Sequence, residues 1–195
     1  MHIPKHFKIT EQKEIHAFIK SNAFGQLIST VDGRPFSTHL PFIFLENEGV
    51  LLGHLGRMNE QLTSLDGQEV LITLQGPHDY ISPSWYAKPG VPTWNYQAVH
   101  IYGKCRTFDE PERLKHIVET LTHTYESGYA EPWKPDYNPA MLKAIIGIEI
   151  VISEIQCQYK LSQNRGKEDQ QRVIATLKTK GKHSLATAME NALSK

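Results

Sequence analysis

The stretch 23-AFGQLISTVDGRPFSTHLPFIFLENEGVLLGHL-55 decides the fold. It reads as three strands joined by two tight turns. Ala23 to Val31 is the first strand. Asp32-Gly33 is a strong hairpin signal, because the favoured two-residue turn needs positive φ at both positions. Phe36 to Leu45 returns, with Leu40, Phe42 and Phe44 on one face. Asn47-Glu48-Gly49 turns the chain again, and Val50 to Leu55 is the third strand. Three antiparallel strands with tight turns make a meander.

Before it, residues 11–20 carry Ile15, Phe18 and Ile19 on one helical stripe, with Thr10 as a candidate N-cap. After it, Asn59 to Leu65 suits a short helix. Glu69 to Gln75 alternates as a strand, and Gly76-Pro77 is expected to end it. Residues 76–96, GPHDYISPSWYAKPGVPTWNY, read as an irregular loop with four prolines, two tryptophans and three tyrosines. Its aromatic content argues for an ordered loop, of the kind that serves function or an interface. Gln97 to Phe108 is the next strand, with Val99, Ile101 and Cys105 on one face.

Asp109 is placed to cap a helix that has Pro111 and Glu112 in its first turn. The buried stripe of that helix is Leu114, Ile117, Val118, Leu121 and Tyr125. A Pro/Trp/Tyr loop over 127–139 and a short helix from Pro139 to Ile146 follow. Gly147 to Tyr159 is the last strand, with Ile148, Ile150 and Ile152 inward. Residues 167–179 and 184–193 read as helices. About six mostly antiparallel strands with helices between and after them predict a β-barrel of the α+β class. A barrel closes its own edges and keeps apolar strands soluble.

The 195 residues, 39% hydrophobic and 22% charged, fit a globular domain with a sufficient core. No apolar run reaches the roughly 18 residues of a membrane span. The start, MHIPKHF, lacks the apolar stretch of a secretory signal, so a cytoplasmic protein is expected. Cys105 and Cys157 are then expected as buried, reduced thiols. Net charge is zero, which argues against a uniform nucleic-acid-binding surface. Yet residues 160–195 hold eight basic and three acidic side chains, leaving this tail at +5 and the remainder at −5. The tail is either a solvated helical face or a basic patch for a partner.

Three segments have the chemistry of a binding site. In 53-GHLGRMNEQ-61 a strand gives way to a turn and a helix, offering backbone N–H groups and the planar cation of Arg57 to an anion. Asn59 serves equally as a plain N-cap. In 160-KLSQNR-165, hydrogen-bonding side chains and two cations gather where the last strand leaves the sheet, either for a ligand or to satisfy the loop itself. Trp94-Asn95-Tyr96 offers rings for stacking on a heterocycle or for packing an interface. The ten histidines show no metal-ligand spacing, and no metal site is expected. No nucleophile elbow, Walker or dinucleotide motif occurs, and no side chain stands out as an acid–base catalyst.

Taken together, MHIPKHF at 1–7, STHLPF at 37–42, GHLGRMNEQ at 53–61, QGPHDYISPSWY at 75–86, VPTWNYQAVHIYG at 91–103 and KLSQNR at 160–165 resemble the PaiB family of FMN-binding negative transcriptional regulators. The matches keep the family order and reach to about residue 175. The resemblance implies a split β-barrel of the flavin-reductase and pyridoxamine-phosphate-oxidase type over residues 1–165, with 166–195 as a basic helical tail. It implies a homodimer with FMN at the subunit interface. Arg57 and Asn59, with His54 near, would hold the phosphate, and Thr38, His39 and Leu40 would run along the ring edge. The partner would bring Trp94 and Tyr96, with Lys160, Ser162 and Gln163. Gly56 stands where the family has Ala, a small-for-small change. Repression is implied too, with Lys167, Arg172, Lys178, Lys180 and Lys182 of the tail available to DNA phosphates. An FMN-dependent oxidoreductase and a dimeric module that has lost FMN are the alternatives.

Overall fold

The computed structural model describes residues 1–137 and 139–194. Its strands are β1 (Phe24–Val31), β2 (Arg34–Pro41), β3 (Ile43–Leu45), β4 (Val50–Gly56), β5 (Glu69–Ile81), β6 (Thr93–Phe108) and β7 (Ile145–Lys160). Its helices are α1 (Gln12–Ser21), α2 (Pro111–Glu126), α3 (Pro139–Leu142), α4 (Lys167–Thr179) and α5 (His183–Leu193). No helix among the described residues is long and apolar enough to cross a membrane.

The strands form one sheet in the order β2-β1-β5-β6-β7-β4-β3. Its two edge strands, β2 and β3, are neighbours in the chain, parted only by Phe42. The sheet therefore curls until its edges belong to one bent segment, which is a split barrel. Just before the bend, Leu40 of β2 packs closely over Gly53 of β4, where a Cβ would lie 2.9 Å from Leu40 Cδ1. The β1–β2 hairpin turns on Asp32 and Gly33, with φ of 48° and 76°, as the Asp-Gly pair predicts.

Two compact units make up the chain: Met1–Phe18, Gln75–Val99 and Gln156–Lys195 in one, Ile19–Leu74 and His100–Ile155 in the other. The predicted middle strand, Phe36 to Leu45, is split at Phe42, so in place of a meander the second unit holds two hairpins, β1–β2 and β3–β4, at opposite edges of the sheet. Leu27, Leu51, Ile72, Ile101, Ile148 and Ile150 are wholly buried in this unit. A second cluster forms where Leu114, Ile117 and Leu121 of α2 meet Val50 and Leu52 of β4, beside Phe108. Residues 50–52 and 55 are thus buried on both faces of β4, which explains its unbroken apolar run. The first unit packs Phe18 against Tyr159, with ring centroids 5.5 Å apart. Its helices α4 and α5 bury Val173, Leu177, Leu185 and Met189. Cys105 and Cys157 are both free and buried, and burial pushes each thiol up to about 12.

Gly76-Pro77 does not end a strand, since β5 runs on to Ile81. The ring of Phe18 lies over Gly76, where a Cβ would come within 2.7 Å of it, so the glycine makes room for α1. With β6 beginning at Thr93, the irregular stretch shrinks to 82–92, and a 3-10 turn at Pro83–Trp85 occupies part of it. The N-cap of α2 is Glu110, without a side-chain cap bond; the Asp109 carboxylate instead lies 3.8 Å from Arg57. The helix after residue 139 stops at Leu142, because Ile145 already pairs with Gly56 in the β4–β7 ladder. Tyr125 leaves the buried stripe of α2 and is half exposed. Asn138, in the predicted 127–139 loop, and Lys195 lie outside the described residues.

Candidate functional site

The β4–β7 ladder fixes where the first candidate segment lies. Its last register pair is Gly56 with Ile145, and Arg57 N–H still donates to Ala144 C=O at 2.8 Å. The side chain of Arg57 continues this attachment. Nε donates to Lys143 C=O at 2.7 Å and a terminal nitrogen to Ile145 C=O at 3.3 Å. The guanidinium remains partly exposed beside Asp109. Arg57 is therefore held in one orientation by carbonyls and presents a permanent positive charge at the strand end.

Two residues on, Asn59 caps a 3-10 turn over Glu60–Thr63, its Oδ1 accepting from Gln61 N–H at 2.9 Å. Its Nδ2 donates to Thr38 Oγ1 at 2.9 Å, tying the turn to β2. Thr38 in turn donates to Gln61 Oε1. Gln61 is fully buried, and its Nε2 reaches Ser29 Oγ at 2.7 Å and Leu27 C=O at 3.3 Å. A polar network, Ser29–Gln61–Thr38–Asn59, thus runs from β1 to the turn after β4. Satisfied networks of this kind rigidify what they connect.

The other predicted residues of this unit divide by strand alternation. Leu40 points into the barrel and is buried. His39 is exposed and stacks on the exposed ring of Phe24, with centroids 6.2 Å apart and planes 25° from parallel. His54 does not join the network. It lies on the face of β4 that carries Leu52, beneath α2, where it lines a cleft of about 420 Å³ with Tyr125, Glu126, Trp133 and Tyr137. Its Nδ1 is buried without a hydrogen-bond partner, and burial holds the imidazole below its ordinary pKa.

In the first unit, Asn95 is wholly buried and donates to Ser162 Oγ at 2.9 Å. Ser162 has a φ of 67°, a strained left-handed value for a non-glycine residue. Lys160 donates to Thr93 Oγ1, and its partial burial lowers its pKa. Gln163 binds its own loop, accepting from Leu161 N–H and donating to Tyr159 C=O, both at 2.6 Å. Trp94 is half exposed and meets Tyr80 edge-on at 6.2 Å; Tyr96 is partly buried. The loop after β5 is strapped to α4 by Asp169, which is buried and accepts from Ala87 N–H at 2.7 Å. Arg165 stacks on Tyr86 at 4.3 Å.

The structure therefore brings Thr38 and Asn59 together, and it brings Ser162 to the buried Asn95. Sequence patterns did not single out Gln61, Ser29, Asn95 or Asp169 as site supports. Gln61 and Asn95 fall within segments that the family motifs cover, and that was the available signal.

The family model described as "Putative FMN-binding domain" matches residues 1–154. The protease synthase and sporulation protein PAI 2 of Bacillus subtilis is 39% identical over 206 aligned positions, covering 100% of this chain and 99% of that one. Among solved structures, the flavocytochrome Anf3 of Azotobacter vinelandii superposes with a TM-score of 0.67 at 14% identity, over 86% of this chain and 77% of that one. A protein of Mycobacterium smegmatis that binds FAD and haem gives 0.64 at 12% identity, over 83% and 78%. These two likenesses establish the fold.

Proposed function

The chain belongs to the FMN-binding domain family, and on that premise we propose that it is a homodimeric, FMN-binding transcriptional regulator of the PaiB kind. The observation that carries the cofactor half is the strand end at Arg57. FMN has a dianionic phosphate at one end and a flat, largely apolar ring at the other. A carbonyl-anchored guanidinium with exposed surface, next to the Asn59–Thr38 pair, suits the phosphate. The buried Gln61 network supports that pair from behind. The backbone of β2 at His39 and Leu40 continues as an edge for the ring, whereas His54 turns beneath α2 and is left out of this subunit's share. The partner subunit would contribute Trp94 and Tyr96 with Lys160, Ser162 and Gln163, all of which lie in the other compact unit. The half-exposed Trp94 is suited to such a role. When bound, the flavin supplies a redox-active and light-absorbing centre; the protein's part is to hold and orient it.

The regulatory half rests on the full-length likeness to PAI 2 of Bacillus subtilis and on the basic tail. Within the tail, Lys178 is paired with Glu190 at 2.6 Å, Lys182 with Asp79 at 3.0 Å, and Lys180 lies over the Trp85 ring. Lys167 and Arg172 are exposed on α4 and lead the DNA-contacting set.

FMN fluorescence titration tests the first half. Arg57→Ala should weaken binding about ten- to a hundredfold, the effect of losing one charge-assisted contact to a phosphate. Arg57→Lys should retain part of the affinity. A melting curve run alongside separates this from the loss of the carbonyl anchors. Equal affinity in wild type and Arg57→Ala would remove the phosphate assignment. For the second half, promoter DNA should shift in a gel at low salt and be released steeply as salt rises. No shift at low salt would turn the proposal towards indirect regulation.

A further inference from the structure

The cleft beneath α2 has a construction that FMN binding does not call for. Its rim is aromatic: Tyr125 is 51% exposed and Trp133 is 53% exposed, two large rings lining one cleft. Two of the rings, Trp133 and Tyr137, are held in place. Tyr137 hydroxyl is bonded to Thr122 Oγ1 and donates to Val118 C=O at 3.2 Å, so two positions of α2 pin the loop. Trp133 N–H donates to Glu126 Oε2 at 2.8 Å. The indole meets the Tyr137 ring edge-on, with centroids 5.9 Å apart. Glu126 lines the cleft and spends one carboxylate oxygen on this bond. Opposite stands His54, whose burial favours the neutral imidazole and which therefore adds no competing positive charge.

Three aromatic rings with one carboxylate among them form the kind of cage that recognises an organic cation. The ring faces attract the charge through their quadrupoles, and the carboxylate supplies the counter-charge. The volume of about 420 Å³ admits a small ammonium compound and lies in the usual range of ligand sites. We propose that the cleft between α2 and the 127–137 loop binds a small organic ammonium ion, with Tyr125, Trp133 and Tyr137 as the cage and Glu126 as the counter-ion.

The probe is choline, set against 3,3-dimethyl-1-butanol, which has the same shape without the charge. Binding to the FMN-loaded protein is followed by tryptophan fluorescence and by calorimetry. Choline should bind about ten- to thirtyfold more tightly than its neutral isostere, the range expected of a desolvated cation–π site. Glu126→Gln and Trp133→Leu should each weaken choline about tenfold or more, with FMN affinity and melting temperature unchanged. Equal binding of choline and the isostere would make the cleft a merely apolar pocket and overturn the proposal. So would the absence of choline binding at millimolar concentration. A Trp133→Leu protein that loses FMN together with choline would make the cleft part of the flavin site, and this too would overturn it. Should Trp133→Leu fail to fold, Glu126→Gln gives the decision alone, since the one described bond of its side chain is to an exposed loop.

Discussion

Gln61 shows how one side chain supports a site without touching its surface. Its amide is wholly buried and joins Ser29, Thr38 and the Leu27 carbonyl. Gln61→Ala would strand these partners and leave a cavity, at a cost of about 2–4 kcal/mol. Urea denaturation should record that loss. A loss below about 1 kcal/mol would mean that water replaces the amide without penalty. Thr38 came only from the family resemblance, whereas Asn59 was legible in the sequence, because a strand–turn–helix junction has known needs. Gln61, Asn95 and Asp169 were not. A buried polar residue looks like a surface one until its partners are placed, and those partners are 32, 67 and 82 positions distant.

At the scale of elements, most strands and the β1–β2 hairpin followed directly from period-2 alternation and from Asp32-Gly33, while the break at Phe42 that sends β2 and β3 to opposite edges did not. Boundaries beside glycine and proline were harder to place. Such residues signal turns by local propensity, whereas Gly76 answers a distant demand, the ring of Phe18. Gly103 is a sharper case of the same kind. A Cβ on it would lie 2.5 Å from Val151 C=O and 2.6 Å from Ile150 Cγ2, so β6 meets β7 through the missing side chain. Because the clash is with backbone, Gly103→Ala should cost about 3 kcal/mol or more. Gly56→Ala, where a Cβ meets nothing within 4 Å, should change stability by less than about 1 kcal/mol. Thermal unfolding of the two variants makes the comparison, and equal losses would show that β6 and β7 adjust freely.

The whole molecule is organised by contacts that ignore chain order. Each compact unit gathers discontinuous segments, and β5, β6 and β7 pass through both. Periodicity is a local signal and carries no trace of such gathering; the family motifs, spread from Met1 to Arg165, span both units. The even overall charge also conceals a structural division of labour. Three of the tail lysines are already engaged by Glu190, Asp79 and Trp85, so much of the tail's positive charge holds α4 and α5 in place. The two buried cysteines have a practical consequence here. One thiol lies in each unit, Cys157 in the first and Cys105 in the second, and both are protonated and shielded at neutral pH. Alkylating reagents can reach them only through local opening. The native chain thus carries a built-in stopwatch for each unit, and the two labelling rates time their separate excursions without any engineered probe.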